Sequence, residues 1–276
     1  MATKTTSTSP KAWSPDVNAF VPGDVVPDAL ILQTATVVGQ IEGDEPAVRV
    51  PYVADDGVSG FVAEGAEIGD ADQDLDEVVV LTGKVATLGK YSYEQLQQPE
   101  AAKMVVDSLS RSVVTKANAA YLGNPVAGPG PVGLLNAGIT EIVTPIEANL
   151  DRITDAVAMI ESDNGTATHI VANPLTWASL SKLKRAADSN ESLVGAGTET
   201  AERRLLSLPV LVTPSMPDAS LLVVDKSAVI GAQSQIRLAR SEHAYFSSDS
   251  IGVRVTWRLG WKVMHPLRVV KLHIGA

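Results

Sequence analysis

The chain has 276 residues, 45% of them hydrophobic and 20% charged, so it is long and apolar enough to bury a core of ordinary globular size. It contains no cysteine, which excludes disulfides, thiolate metal sites and a cysteine nucleophile. The net charge of −10 repels a phosphate backbone, and no concentrated basic patch is visible along the sequence. No apolar stretch approaches the roughly 18 residues of a membrane span, so we expect a soluble, unsecreted chain.

The N-terminal segment is polar. Residues 1 to 19 hold seven Ser or Thr with Pro10 and Pro15, and show no hydrophobic periodicity, which predicts an extended or disordered arm. The pattern then turns apolar between residues 20 and 41. Its spacing predicts one short amphipathic helix that includes Leu30, Ile31, Thr34, Val37 and Val38.

Residues 48 to 91 have the pattern of a long β-hairpin. Val48, Val50 and Tyr52 alternate on one strand, and the run 78–81 is rich in β-formers. Between the strands, residues 69–77 (GDADQDLDE) are too acidic to be buried. Two strands alone bury too little surface to be stable, so the hairpin is expected to need a partner chain.

A long helix follows. Pro99 is suited to its first turn, because that position has no intrahelical N–H partner. Apolar residues recur every three or four positions up to Gly123 and predict one buried stripe. The Pro- and Gly-rich segment 123–138 cannot continue the helix, and we place a crossing between domains there.

The next 90 residues alternate helices and strands, which predicts a compact mixed α/β unit. An amphipathic helix at 150–160 precedes a short buried strand at 169–172. Asn173 is expected to cap a second helix that has Pro174 at its first position and Trp177 on its inner face. Further strands are predicted at 209–213 and 221–224.

The C-terminal region has the clearest strand signal. Trp257, Trp261 and the other apolar residues between 253 and 263 share one parity, while basic residues occupy the other face. The run 269–274 is expected to pair beside this strand.

Motifs that carry chemistry are weak. Gly128, Gly130 and Gly133 match G-x-G-x-x-G, but they follow a helix and alternate with prolines, so a structural loop is favoured over a dinucleotide site. The aspartates of 70–76 lack the glycine and bidentate glutamate of a calcium loop, which favours a solvated acidic face; pairing with a neighbour's basic residues or weak cation binding is the alternative. The four histidines have no i, i+4 pair and are interpreted as structural.

Five strings, in order, resemble segments of the tailed-bacteriophage major capsid family. That family shares the Hong Kong 97-type fold with encapsulin shells. The strings are 61–68 (FVAEGAEI), 84–96 (KVATLGKYSYEQL), 131–139 (PVGLLNAGI), 172–184 (ANPLTWASLSKLK) and 208–217 (LPVLVTPSMP).

The resemblance implies an α+β fold built from an N-terminal arm, an E-loop β-hairpin, a P-domain with a long spine helix and a β-sheet, and a mixed α/β A-domain. The implied boundaries are 1–25 for the arm, 26–47 for the segment leading into the P-domain, 48–90 for the E-loop, 91–134 for the spine helix, 135–235 for the A-domain and 236–276 for the C-terminal P-domain strands.

The resemblance also assigns roles to residues. Intersubunit contacts are expected in the E-loop at Phe61, Glu64, Gly65, Glu67, Asp70, Asp72, Asp74 and Asp76, and in the arm at Trp13 and Phe20. The A-domain loop is marked by Ser192, Gly195 and Gly197. Structural roles are expected for Pro99, Gly133, Leu134, Asn173, Pro174, Trp177, Trp257 and Trp261.

The implied function is self-assembly into hexamers and pentamers of an icosahedral head that encloses double-stranded DNA without sequence-specific binding. The implied location is the virion, after assembly in the host bacterial cytoplasm. Expected partners are other copies of the chain, a portal and a scaffolding protein, with or without decoration proteins; no membrane is involved. We expect no catalytic residue, cofactor or metal.

Two departures from the family bear on assembly. Met1 directly precedes the arm, whereas members often carry a scaffolding segment there, so a separate scaffold or none is expected. Some members join an E-loop lysine to a P-domain asparagine, but residues 69–77 contain no lysine and 241–276 no asparagine, which predicts a shell that is not crosslinked.

Two alternatives remain open at this stage. An encapsulin-type nanocompartment would use the same fold to house cargo enzymes. A small α/β hydrolase or nucleotide-binding enzyme is the alternative from another class, but the sequence shows no convergent acid, base and nucleophile.

Overall fold

The computed structural model describes residues 17–20, 22, 26–55, 61–62, 65, 74–96, 99–147, 149–185, 192–194 and 203–275. The helices are α1 (Leu30–Thr34), α2 (Tyr93–Leu96), α3 (Pro99–Gly123), α4 (Asp151–Ser162) and α5 (Pro174–Lys182). The strands are β1 (Val17–Phe20), β2 (Thr36–Gln40), β3 (Ala47–Asp55), β4 (Asp74–Ser92), β5 (Thr140–Ile146), β6 (His169–Ala172), β7 (Arg204–Leu205), β8 (Leu208–Val212), β9 (Ser220–Val224), β10 (Val229–Gln233), β11 (Ile236–Tyr245), β12 (Ser250–Val263) and β13 (Val269–Ile274).

The long helix α3 begins at Pro99 and ends at Gly123, as the sequence predicts. Its buried stripe includes Leu109, Val113 and Ala117, which recur at helical spacing and face the largest core cluster. Most of its other side chains are exposed or half-buried. The helix is therefore held by one face, against the first sheet.

The first sheet is centred on β12. Along one edge of β12, β11 pairs with its first half and β10 with its second half, both antiparallel. Along the other edge it pairs with β4 from Ser250↔Ser92 to Gly260↔Thr82. At the margins, β1 pairs with β11, and β2 pairs in parallel with β10.

The second sheet has the order β5-β13-β9-β6-β8-β7 and mixes parallel with antiparallel pairs. Every residue of its central strand β9 is buried. Buried residues of α4 and α5, among them Ile153, Ile160 and Leu180, belong to the same core cluster as the sheet. This unit closes its core within the chain.

Two sequence expectations are wrong. The helix that was expected to include Val37 and Val38 stops at Thr34, and both valines lie in β2, since β-branched residues fit a sheet edge. Strand β13 does not pair beside β12; it lies between β5 and β9, which pair with its two edges, and its Val269, Val270 and Leu272 are buried. Strand β10 (Val229–Gln233) returns to the first sheet although it falls inside the segment 135–235.

Candidate interaction surfaces

The segment predicted as a long hairpin pairs with the first sheet along one half and only with itself along the other described half. Residues 82–92 of β4 pair with β12 inside the first sheet, so this half has its partner within the chain. The preceding residues pair only with β3 among the described strands, in a register from Ala47↔Leu81 to Asp55↔Asp74. We call this two-stranded part, Ala47–Asp55 with residues 74–81, the hairpin.

The inner face of the hairpin packs on the chain itself. Val50, Val78 and Val80 are buried against Ile41 and Ala232 in a small core cluster. The hairpin crosses above β12 at Gly260, where an added Cβ would lie 2.5 Å from the carbonyl oxygen of Leu81. Glycine at this position allows the close approach of the two backbones.

The outer face of the hairpin has no cover in the described structure. By strand alternation Val53, Val79 and Leu81 point away from the small cluster, and they are 45%, 41% and 58% exposed. Arg49 and Glu77 form an ion pair on the same face. Three large aliphatic side chains on one exposed strand pair are typical of an interaction surface.

An ion-pair network holds the base of the hairpin. The Asp44 carboxylate lies 2.8 Å from Lys84 Nζ and 3.2 Å from Arg258 Nε. Arg258 also donates to the Thr82 hydroxyl at 2.9 Å and to the carbonyl of Glu45 at 3.3 Å. The hydrogen bond from Lys84 lowers the pKa of Asp44, and the bond from Arg258 adds to this effect.

The expected E-loop contact residues are only partly described. Phe61 is fully exposed, Gly65 has a φ of 81°, and Asp76 is exposed and accepts a hydrogen bond from the Tyr52 hydroxyl. Asp74 is the first residue of β4. Glu64, Glu67, Asp70 and Asp72 lie outside the described residues.

Six basic residues lie on the face of the first sheet that is opposite α3. Three of them share one parity on β12, and the other three lie directly opposite residues of that parity on β4 and β11, so all project to the same side. This basic face consists of Lys84, Lys90, Arg237, Arg254, Arg258 and Lys262. Pairing of β4, β11 and β12 gathers these residues, which are far apart in the chain, so no cluster of them is visible along the sequence.

Several members of the basic face have no ion-pair partner among the described residues. Lys84 and Arg258 share Asp44, and Lys90 lies 5.0 Å above the Tyr245 ring. Arg237, Arg254 and Lys262 have no ion-pair partner in the described part of the chain, and the two arginines border a depression of about 250 Å³.

Of the two residues expected to make contacts of the arm, Phe20 lies in β1 at a margin of the first sheet. Strand β1 adds to β11 in antiparallel register, with Phe20 opposite Ile236. Trp13 lies outside the described residues.

The residues expected to mark the A-domain loop are described only in part. Ser192 Oγ donates to the carbonyl of Ser181 of α5 at 2.8 Å, whereas Gly195 and Gly197 lie outside the described residues.

The junction after α3 needs glycine. An added Cβ on Gly133 would lie 2.4 Å from the amide nitrogen of Asn124 and 2.7 Å from the carbonyl oxygen of Leu122. Its neighbour Leu134 is fully buried in the main core. Gly130 of the same segment has a φ of 92°, and its backbone packs against Gly83 of β4. The G-x-G-x-x-G string is therefore a connecting loop after a helix, as expected.

Asn173 begins α5 as predicted. Its Oδ1 accepts a hydrogen bond from the amide of Leu175 at 2.8 Å, with Pro174 in the first helical turn. Its Nδ2 donates to the carbonyl of Met216 at 2.7 Å. One buried side chain thus both caps the helix and fixes the turn after β8, while Trp177 packs against the core of the second sheet.

The two C-terminal tryptophans lie between β12 and α3. Trp257 is fully buried. The Trp261 indole nitrogen donates to the carbonyl of Val132 at 2.6 Å, and its ring meets Tyr121 edge-on at a centroid distance of 5.2 Å. Burial raises the pKa of the Tyr121 hydroxyl above its usual range.

Among the described residues there is no cluster of three or more His, Asp or Glu side chains that could hold a metal ion. Desolvation lowers the pKa of His169, whose Nδ1 has no hydrogen-bond partner within the described part of the chain. No described helix is both long enough and apolar enough to span a membrane.

Solved structures share this fold over nearly the whole chain. A capsid structure of an empty GTA particle aligns with a TM-score of 0.68 at 18% identity, covering 99% of this chain and 98% of that one. A structure of Microbacterium phage Oxtober96 gives a TM-score of 0.68 at 13% identity, with 99% and 100% covered. A virus-like particle from Pyrococcus furiosus gives 0.58 at 14% identity, with 90% and 96% covered.

Among curated proteins, no sequence matches this chain. The sequence profile of the "Phage capsid family" matches residues 23–274, which is most of the chain. The fold is of the Hong Kong 97 type, and the chain belongs to the phage capsid family.

Proposed function

We propose that this chain is the major capsid protein of a tailed bacteriophage, which assembles into hexamers and pentamers of an icosahedral head around double-stranded DNA. The domain division given by the resemblance, with the hairpin as the E-loop, is part of this proposal. Family membership supports the capsid role.

The observation that carries the proposal is the half-covered hairpin. Its inner face is packed on the chain, whereas Val53, Val79 and Leu81 of its outer face remain exposed. A two-stranded ribbon with an uncovered apolar face is marginal in water. Contact with another copy would remove these side chains from water and order the ribbon.

In the proposed shell, the exposed aliphatic residues of one hairpin are covered by a different surface of the next copy. A contact between different patches of identical copies is heterologous, and heterologous contacts close into rings when the rotation allows. Rings of five and six copies are the units of an icosahedral shell.

We infer that the shell is held by noncovalent contacts. Residues 69–77 contain no lysine and residues 241–276 no asparagine, so the lysine-to-asparagine crosslink of some members has no donor and acceptor there. We expect a portal and a scaffolding protein as partners, with assembly in the bacterial cytoplasm. The protein acts as a structural component and not as an enzyme.

The nanocompartment alternative is not favoured, because the profile that matches is that of phage capsids. Negative-stain microscopy of the expressed protein, alone and with the candidate scaffold, tests the proposal. We expect closed icosahedral particles, and DNA inside particles from infected cells. Persistent monomers under all assembly conditions would contradict it, and a covalent ladder on a denaturing gel would contradict the noncovalent shell.

A further inference from the structure

On the basic face, three arginine positions surround a single threonine. Thr256 of β12 lies directly opposite Arg237 of β11. Arg254 and Arg258 lie two residues before and after Thr256 on the same strand and project to the same side. At a rise of about 3.3 Å per residue, each is about 7 Å along the strand from Thr256. Thr256 is therefore at the centre of three guanidinium-bearing positions.

The surface around Thr256 is concave. Ala239 lies directly opposite Arg254, and Ala86 of β4 lies directly opposite Thr256 on its other side. Short side chains at these two positions leave space between the longer cationic ones. A depression of about 250 Å³ results, and its lining includes Thr256, Ala239 and four cationic residues (Lys84, Arg237, Arg254 and Arg258).

The charge of this depression is not balanced by the described residues. Asp44 is the one acidic residue among the described residues that line it, and its carboxylate already pairs with Lys84 and Arg258. Arg237 and Arg254 are exposed and have no ion-pair partner in the described part of the chain. Four cationic residues against one carboxylate leave an excess of three positive charges, in a chain whose net charge is −10.

The two unpaired arginines are spaced to share one anion. Arg237 and Arg254 are diagonal neighbours on adjacent strands, which places them about 7–8 Å apart, close enough for their charges to repel. A tetrahedral oxyanion accepts hydrogen bonds from several guanidinium groups at once, and such charge-assisted bonds are about twice as strong as neutral ones. Sites for drug-sized ligands have volumes of about 300–1,000 Å³, so this smaller depression suits a compact anion.

We propose that the depression binds a phosphate dianion, held by Arg237, Arg254 and the hydroxyl of Thr256. The ion would lower the excess of positive charge and relieve the repulsion between the two arginines. The inference goes beyond the proposed function and does not depend on it, because all of the binding residues belong to one copy. Phosphate groups are also present in DNA, but a duplex would bring many further phosphates close to an acidic chain, so the free ion is favoured.

Calorimetric titration of the unassembled full-length subunit tests the site. The probe is inorganic phosphate at a pH where it is a dianion, and sodium chloride of equal ionic strength is the reference. We expect one saturable phosphate site. Arg237→Gln with Arg254→Gln should weaken phosphate binding by at least about tenfold, because charge-assisted hydrogen bonds are lost. Thr256→Val, which changes no charge, should weaken it by about threefold.

The matched control is Arg111→Gln with Arg240→Gln. It removes the same charge at two exposed positions, one on α3 and one that projects from the opposite side of β11. Phosphate binding of this control should equal that of wild type, and thermal unfolding without phosphate shows that each variant is folded. Lack of saturable binding to wild type would overturn the site, as would wild-type affinity in either variant of the depression.

A short DNA duplex at the same ionic strength separates the two sources of phosphate. We expect the duplex to bind the subunit weakly or not at all, and equally in all variants. Duplex binding that requires Arg237 and Arg254, with no binding of the free ion, would overturn the compact site and assign the surface to the DNA backbone. Arginine-dependent binding of both probes would support the site and make DNA a second source of its phosphate.

Discussion

The second sheet and the hairpin place similar apolar residues in opposite situations. All five residues of β9 are buried, and the strands on both sides belong to the same chain. In the hairpin one face is buried and the other exposes Val53, Val79 and Leu81. The apolar side chains of the first region are all buried within the fold, whereas those of the second are buried on one face only.

The difference separates stability from assembly. Substitutions of buried residues in the second sheet should destabilise the isolated subunit, because they remove contacts that are present within it. Substitutions on the outer face of the hairpin should leave the subunit intact and act only when copies meet. Substitutions in the two regions can test this separation, and the largest effect on subunit stability is expected in the second sheet.

Leu221→Ala should lower the free energy of unfolding of the subunit by about 2–5 kcal/mol, because it opens a cavity in the closed core of the second sheet. Denaturant unfolding of the unassembled protein measures this loss. Val143→Ala, at an exposed position of β5 in the same sheet, is the control and should change stability by less than about 0.5 kcal/mol. Equal effects of the two substitutions would contradict the closed core.

Asn173→Ala should lower the free energy of unfolding by about 1–3 kcal/mol, since it removes the cap of α5 and leaves the buried carbonyl of Met216 without its donor. Asn173→Asp keeps the cap acceptor but cannot donate to Met216. The free energy of unfolding of Asn173→Asp should therefore lie between those of wild type and Asn173→Ala, which separates the two contributions. A full loss in Asn173→Asp would show that the helix cap contributes little.

Leu81→Asp should change the unfolding free energy of the subunit by less than about 0.5 kcal/mol and yet prevent shell formation. Leu267→Asp is the matched control, because Leu267 is also 58% exposed and undergoes the same chemical change away from the hairpin. Sedimentation of assembly reactions measures both. Shells formed by Leu81→Asp as readily as by Leu267→Asp would contradict the role of the outer face.

The smallest expected effect concerns Asp44. The hydrogen bond from Lys84 lowers the pKa of Asp44 in the folded chain. The contribution of Asp44 to stability is therefore fully present above its unfolded pKa of about 3.9, and it is lost as the pH falls through the lower folded pKa. The stability difference between wild type and Asp44→Asn should thus be constant above about pH 4 and vanish below it. A difference that grows on acidification would contradict the Asp44 network.

Local signals in the sequence predict local structure well. The ends of α3 at Pro99 and Gly123, the Asn173 cap and the parity of β12 each depend on neighbouring residues, and the structure has all of them. The family strings also predict the fold, because their order is preserved over the chain.

Pairing between distant segments could not be predicted from periodicity. Val269–Ile274 has the pattern of any buried strand, and nothing local shows that it joins β5 and β9 instead of β12. The basic face was missed for the same reason: Arg254 was placed on the polar side of its strand, but its proximity to Arg237 depends on the register of β11. No local pattern in the sequence predicted the ion pairs of Asp44, because its partners Lys84 and Arg258 are 40 and 214 residues away.

The central claim is that a second copy supplies the missing partner of the hairpin. Hydrogen exchange measured on unassembled subunits and on assembled shells tests it directly at residues 47–53 and 74–81. The account predicts slower exchange in these two segments upon assembly, by at least about tenfold, while β9 stays equally protected in both states. Unchanged exchange in the hairpin, with shells formed, would contradict it.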